Sequence, residues 1–206
     1  GMISFAAGQA TETLVVNVFG DTAVEGTEGF KVTLSSPTGA LLGAAANLVA
    51  NGTIQSDDTL LAISVATTGS SKLEGQSDTV AHTFTVTRTG LIGGETSVDF
   101  MVTGSGTNPA NVDDFLAAQF PTGTLNFLEN ETSKTIMINT NGDTTVEPTE
   151  TFTVTLSNAV GASSISPTTA IGTIIADDSS FSIAPLAAIK AEGNSGTVPF
   201  TFTVTR

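Results

Sequence analysis

One block of this chain is written twice. Gly20-Asp21-Thr22-Ala23-Val24-Glu25-Gly26-Thr27-Glu28-Gly29-Phe30-Lys31-Val32-Thr33-Leu34-Ser35 returns as Gly142-Asp143-Thr144-Thr145-Val146-Glu147-Pro148-Thr149-Glu150-Thr151-Phe152-Thr153-Val154-Thr155-Leu156-Ser157, so that Asp143 stands 122 residues after Asp21. Gly52-Thr53-Ile54-Gln55-Ser56-Asp57-Asp58 returns 120 residues later as Gly172-Thr173-Ile174-Ile175-Ala176-Asp177-Asp178. Phe84-Thr85-Val86-Thr87-Arg88 returns 118 residues later as Phe202-Thr203-Val204-Thr205-Arg206, and Glu74-Gly75 returns as Glu192-Gly193 at the same spacing. Blocks kept in one order, with so little drift in spacing, mark a structural repeat of about 120 residues, the size of one sandwich domain. The 206 residues are out of phase with it: 1–57 read as the second half of a repeat, 58–178 as a whole repeat, and 179–206 as the opening of a third.

Inside the repeat, apolar residues fall at every second position. Val80, His82, Phe84 and Val86 keep this period, as do Val98, Phe100 and Val102, Phe152, Val154 and Leu156, and Phe30, Val32 and Leu34, with Thr at many of the intervening positions. A period of two predicts strands with one buried face. Gly- and Asn-rich breaks separate them, and no long window has helical periodicity. The fold class is therefore all-β, a two-sheet sandwich. Charged residues make up only 13% of the chain, against roughly 25% in ordinary globular domains. Thr, Ser, Gly and Ala fill the difference, as suits ordered strands.

The net charge of −14, from 20 acids against 6 bases, excludes a nucleic-acid partner, because phosphates need basic patches. An anionic membrane surface would repel the chain. The longest apolar stretch, Ala40 to Ala50, is too short to cross a bilayer and is interrupted by Asn47, so no direct membrane insertion is expected. No signal peptide is visible. The absence of Cys removes disulfides and thiol chemistry, and fits a bacterial surface protein built without them.

The acids gather in loops and at repeat ends. Asp143, Glu147 and Glu150 precede the Phe152 strand, Asp177 and Asp178 close the repeat, Glu74 precedes the Phe84 strand, and Asp113 and Asp114 precede Phe115. The spacing Asp-x-x-x-Glu-x-x-Glu occurs at Asp21, Glu25 and Glu28 and again at Asp143, Glu147 and Glu150. Converging carboxylates repel unless a cation neutralises them. Hard cations such as Ca²⁺ take 6–8 oxygen ligands. The spacing itself fits either a cation site or a solvated acidic loop.

Taken together, Glu-Gly before the first long strand, Phe-Thr-Val-Thr-Arg, the Asp-Asp-Phe loop, Asp-x-x-x-Glu-x-x-Glu-x-Phe-x-Val-x-Leu and the closing Gly-Thr-Ile-x-x-Asp-Asp resemble the Calx-β domain. This is the repeat of sodium–calcium exchanger regulatory loops, of integrin beta-4 and of many bacterial surface proteins. The resemblance covers nearly the whole chain. It implies tandem immunoglobulin-like β-sandwiches of seven strands, with calcium in the distal loops at one end. Carried across by position, the ligands it implies in the whole repeat are Glu74, Asp113 or Asp114, Asp143, Glu147, Glu150, Asp177 and Asp178. A second, incomplete set is Asp21, Glu25, Glu28, Asp57 and Asp58 in the first half and Glu192 in the last.

An enzyme is not expected. There is one His, no Cys, and no nucleophile-elbow or zinc-protease motif. His82 occupies the repeat position of Phe200, so it is expected to pack in the core. Lys31, Lys72, Arg88, Lys134 and Lys190 are scattered and expected to be solvated. The functions expected are a calcium-binding adhesion or matrix module at the cell surface, a calcium-independent spacer, or a regulatory calcium sensor. Its partners would be calcium ions, neighbouring repeats and an unidentified protein or glycan ligand. The half-repeats expose strand edges, and such edges template another chain. Residues 179–206 of one molecule could complement 1–57 of the next, head to tail. In a longer array, neighbouring segments would supply those strands.

Overall fold

A computed structural model describes residues 1–44, 48–66 and 70–206, so the interruption at Asn47 lies outside the described residues. β1 (Glu28–Thr33) and β2 (Val49–Ile54) pair by themselves, as do β12 (Ser182–Ala187) and β13 (Thr201–Thr205). Between them lie β3 (Thr59–Val65), β4 (Ser71–Leu73), β5 (Thr79–Gly90), β6 (Thr96–Ser105), β7 (Thr122–Phe127), β8 (Ser133–Asn141), β9 (Glu150–Val160), β10 (Ser164–Ile165) and β11 (Thr169–Ile175). These nine form two sheets, in the orders β10-β3-β5-β8 and β4-β11-β9-β6-β7. The chain changes sheet between β3 and β4. The short strands β10 and β4 run parallel to their neighbours β3 and β11, and the long strands pair antiparallel. This is an immunoglobulin-like sandwich. Among the described residues no helix is long and apolar enough to cross a membrane.

The alternation in sequence becomes the two inner faces. His82, Phe84 and Val86 of β5 and Phe152, Val154 and Leu156 of β9 are buried, while the intervening Thr residues are half-buried. Phe152 is the hub of this core. Its ring lies edge-on to His82 (centroids 5.2 Å apart) and to Phe115 (5.4 Å), with Phe84 at 6.0 Å. Phe152 is also the cross-strand partner of Gly172 on β11, and the ring lies over that glycine, where an added Cβ would overlap it. Phe30 and Gly52 pair in the same way on β1 and β2. The Phe and Gly motifs of the repeat are thus two sides of one contact, an aromatic ring covering a strand glycine.

His82 packs in the core as its repeat position predicts. Its Nδ1 faces the Ser70 carbonyl at 3.1 Å and its Nε2 faces Thr140 Oγ1 at 3.2 Å. Burial holds its pKa below the usual range.

Arg88 departs from expectation: it is fully buried rather than solvated. It continues the inward-facing series of β5, and the loops beyond that strand leave carbonyls without strand partners. The guanidinium donates to the carbonyls of Glu131 (2.9 Å), Gly94 (2.7 Å), Ile92 (3.0 Å) and Leu128 (2.9 Å), and to Thr96 Oγ1 (3.0 Å). Its five donors in a fixed fork suit such a cage, which a lysine would fill poorly. Lys31 and Lys190 are exposed, Lys72 and Lys134 half-buried, and Lys134 pairs with Glu131 at 2.7 Å.

Replacing Gly172 with Ala is expected to cost about 1–3 kcal/mol through overpacking against Phe152. Gly52→Ala faces the half-buried Phe30 of the lone pair and should leave the main unfolding transition in place. Thermal melts of the two variants check this.

Candidate metal centre

Four chain segments meet at one end of the sandwich. β4 and β11 run in parallel, and the pairing continues past β4 as Glu74 N donates to the Ile175 carbonyl at 3.0 Å. The ends of these strands therefore deliver Glu74, Asp177 and Asp178 side by side, with one carboxylate oxygen of each within 4.8 Å of the others. Gly75, at φ 84°, turns the chain there and donates its N–H to Asp177 Oδ1 at 3.3 Å. Gln76 Nε2 donates to Asp178 Oδ1 at 2.6 Å.

A second group forms beside the first from Asp114, Glu147 and Glu150, again with ligand atoms within 4.8 Å of one another. Asp114 sits in a short 3-10 turn, Val112–Asp114, capped by Asn111. Asn111 Oδ1 accepts from Asp113 N at 2.8 Å, and Asp114 Oδ2 accepts from Asn111 N at 2.6 Å. Asn141 Nδ2 ties this turn to β8 through the carbonyls of Asp113 (2.8 Å) and Phe115 (2.9 Å). Phe115 in turn is buried against Phe152, so the core fixes the height of Asp114. Glu150 is the first residue of β9, and Glu147 belongs to the loop before it.

The two groups share one electrostatic field. Burial, then the charges of Asp143, Glu147, Asp178 and Asp114, push the Glu74 carboxyl from 4.5 up to about 7. Burial, then a hydrogen bond to Asp114 and the charges of Asp114, Glu147 and Glu74, push Glu150 up to about 7 as well. Glu147 is raised by burial and by Asp114, Asp143 and Asp113. The one ion pair among the described residues, Lys134 with Glu131, involves none of these acids. Asp178 Oδ2 is buried without any hydrogen-bond partner. A buried carboxylate oxygen in that condition is costly.

Of the sequence-derived residues, Glu74, Asp114, Glu147, Glu150, Asp177 and Asp178 are brought together, and Asp113 and Asp143 stand exposed at the rim. Asp143 Oδ1 accepts from Thr145 N at 2.5 Å, the same turn that Asp21 makes with Ala23 N at 2.8 Å. Among the described residues, none of Asp21, Glu25, Glu28, Asp57, Asp58 and Glu192 joins a group of three carboxylates. Sequence reasoning missed Asn111, Gln76 and Asn141, which orient the acids. The Asn111-x-Asp-Asp spacing was the available signal for the first, since Asn is a strong cap.

The raised carboxyls set a pH dependence. Glu74 and Glu150 have folded pKa values above their unfolded ones, so between about pH 4.5 and 7 the folded state holds more protons. Stability then falls as pH rises through that window and levels off above it. With a chelator present, melting temperature should drop from pH 5 to about pH 7. Glu74→Gln with Glu150→Gln should flatten the slope and raise the melting temperature at neutral pH.

The family model for the Calx-beta domain matches residues 1–58 and 63–178. Among solved structures, the apo-form Calx CBD1 domain is similar at 21% identity, covering 57% of this chain and 98% of that one, with a TM-score of 0.47. CBD12 from CALX1.2 is similar at 21% identity (61% of this chain, 49% of that one, TM-score 0.49). The calcium binding domain CBD12 of CALX1.1 is similar at 24% identity (57% of this chain, 44% of that one, TM-score 0.46). This chain thus spans about half the length of each CBD12 chain. No curated protein sequence matches it. The family match extends over residues 1–58 and over the sandwich that carries the acid cluster, and this protein belongs to the Calx-beta domain family.

Proposed function

We propose that this chain is a calcium-binding, non-catalytic repeat module in which residues 58–178 form the complete unit and hold Ca²⁺ at the acid cluster. The observation that carries this reading is Asp178 Oδ2, buried and without a partner beside two carboxyls pushed up to about 7. Membership of the Calx-beta family supports it. Ca²⁺ accepts 6–8 oxygens at flexible geometry. Glu74, Asp177 and Asp178 would hold one ion, and Asp114, Glu147 and Glu150 a neighbouring one. Asp113 and Asp143 complete the shell from the rim. The ions cross-link the turn after β4, the 3-10 turn, the loop before β9 and the end of β11. Because Asp177 and Asp178 lead directly into residues 179–206, calcium also stiffens the junction with the next repeat.

In this reading the protein works as an adhesion or matrix element at a bacterial cell surface, with neighbouring repeats and a protein or glycan ligand as partners. The cysteine-free, acidic, repetitive chain suits that setting. Extracellular modules bind calcium at about 10⁻⁴–10⁻³ M, a range suited to partly solvated carboxylates.

Added Ca²⁺ should raise the melting temperature at neutral pH. The expected stabilisation is about 2.7 kcal/mol when free calcium is a hundredfold above Kd. Asp178→Asn with Glu74→Gln should abolish it. An unchanged melt of the parent chain in millimolar calcium would instead identify a calcium-independent spacer.

A further inference from the structure

His82 is fully buried, and the acid cluster does not use it as a ligand. Packing alone does not call for a histidine there. The repeat places Phe200 at the same position, so an apolar ring meets the packing need and the two ring nitrogens require a separate account. Each nitrogen is engaged on a different element: Nδ1 faces the Ser70 carbonyl at 3.1 Å, and Nε2 faces Thr140 Oγ1 at 3.2 Å. A carbonyl only accepts, so Nδ1 carries the proton and Nε2 accepts from the Thr140 hydroxyl. Ser70 immediately precedes β4 of the five-stranded sheet, whereas Thr140 lies on β8 of the four-stranded sheet, next to β5. The imidazole therefore ties one sheet to the other.

Each of its partners leads to one acid group. The Ser70 carbonyl also accepts from Thr173 N at 2.6 Å, where the parallel pairing of β4 with β11 begins. That pairing runs on to Glu74 N, bonded to the Ile175 carbonyl at 3.0 Å. Ser70 thus sets where β4 lands on β11, and β4 sets Glu74 against Asp177 and Asp178. On the other side, Thr140 is bridged to Phe115, the residue after Asp114. Asn141, the residue after Thr140, holds the carbonyls of Asp113 and Phe115 at 2.8 and 2.9 Å.

We infer that His82 is a positioning residue for the cation site: it holds Glu74 through Ser70 and Asp114 through Thr140, and so keeps the two acid groups side by side. The cation in this statement rests on the calcium reading; the placement of the acids belongs to the chain itself. Neither partner is orphaned when the imidazole is removed. The Ser70 carbonyl keeps Thr173 N, and Thr140 Oγ1 lies 3.3 Å from the Val80 carbonyl, to which it then donates. A ring without nitrogens therefore leaves no buried polar group unsatisfied at these two partners, and the fold survives its introduction. What is lost is the link between the sheets.

Two variants separate the two arms. His82→Phe keeps a ring and removes both bonds. His82→Asn keeps an amide nitrogen at the Nδ1 position, within reach of Ser70 and short of Thr140. Amide hydrogen exchange of the full chain in chelator, followed by NMR, reads the arms without calcium. The Glu74 amide reports the Ser70 arm, and the Asn111 amide, bonded to Asp114 Oδ2 at 2.6 Å, reports the Thr140 arm. The Arg88 amide, bonded to the Thr132 carbonyl at 2.8 Å near the other end of β5, is the reference. In His82→Phe the Glu74 and Asn111 amides should exchange roughly fivefold faster relative to Arg88, the worth of one hydrogen bond. In His82→Asn the Asn111 amide alone should do so, and this variant decides by itself if the Phe variant does not fold. A role in packing alone would move all three amides together or none, and either result overturns the proposal. Calorimetric titration with Ca²⁺ then reads the site, where His82→Phe should bind roughly tenfold more weakly than the parent. Equal affinity in parent and variant overturns the proposal as well. A parent that binds no calcium sinks the calcium reading instead, and the exchange pattern still decides whether His82 places the acids.

Discussion

The Phe152 ring, lying over Gly172 and wedged against His82, Phe84 and Phe115, fixes where everything else in the sandwich sits. It locks the register of β9 on β11, which places Glu150 opposite Ile174 and brings Asp177 and Asp178 to the same end. Through Phe115 it also holds the turn that carries Asp114. The acid cluster is therefore a by-product of core packing. The core is indifferent to the charge repulsion it creates, and the acids converge because the apolar contacts beneath them are strong enough to force it.

The two ends of β5 solve opposite electrostatic problems. At the Gly90 end, Arg88 is buried among carbonyls, which accept its hydrogen bonds in place of a carboxylate. At the Thr79 end six carboxylates gather, and among the described residues none of them is in an ion pair. Burial first, and then the neighbouring charges, push Glu74 and Glu150 up to about 7, so that protons are the counter-charge available without a cation. In the proposed calcium-bound state a divalent ion would displace those protons and use the oxygens that the fold leaves unpaired, Asp178 Oδ2 above all. Since the same carboxylates span four segments, their neutralisation acts on the stiffness of the whole end rather than on one loop.

Most of this was legible in the sequence because the chain states its pattern more than once. Period-two alternation gave the inner faces of β5 and β9, and the repeated acidic spacing gave Glu147 and Glu150, which the fold brings together with Asp114. Arg88 was misjudged because a base at a strand end reads as solvated until the surrounding loop carbonyls are placed, and two of the four, those of Leu128 and Glu131, come from residues 40 or more positions away. The division of the acids into two groups rested on the parallel β4–β11 pairing, which local spacing does not encode.

The central claim is that the acid cluster exchanges protons for calcium. Isothermal titration of Ca²⁺ into the chain near pH 7, repeated in two buffers of different ionisation enthalpy, measures both events at once. The account predicts saturable binding with net proton release, and loss of that release when Glu74 and Glu150 are both replaced by Gln. Absence of binding, or binding with no buffer dependence of the heat, would contradict it.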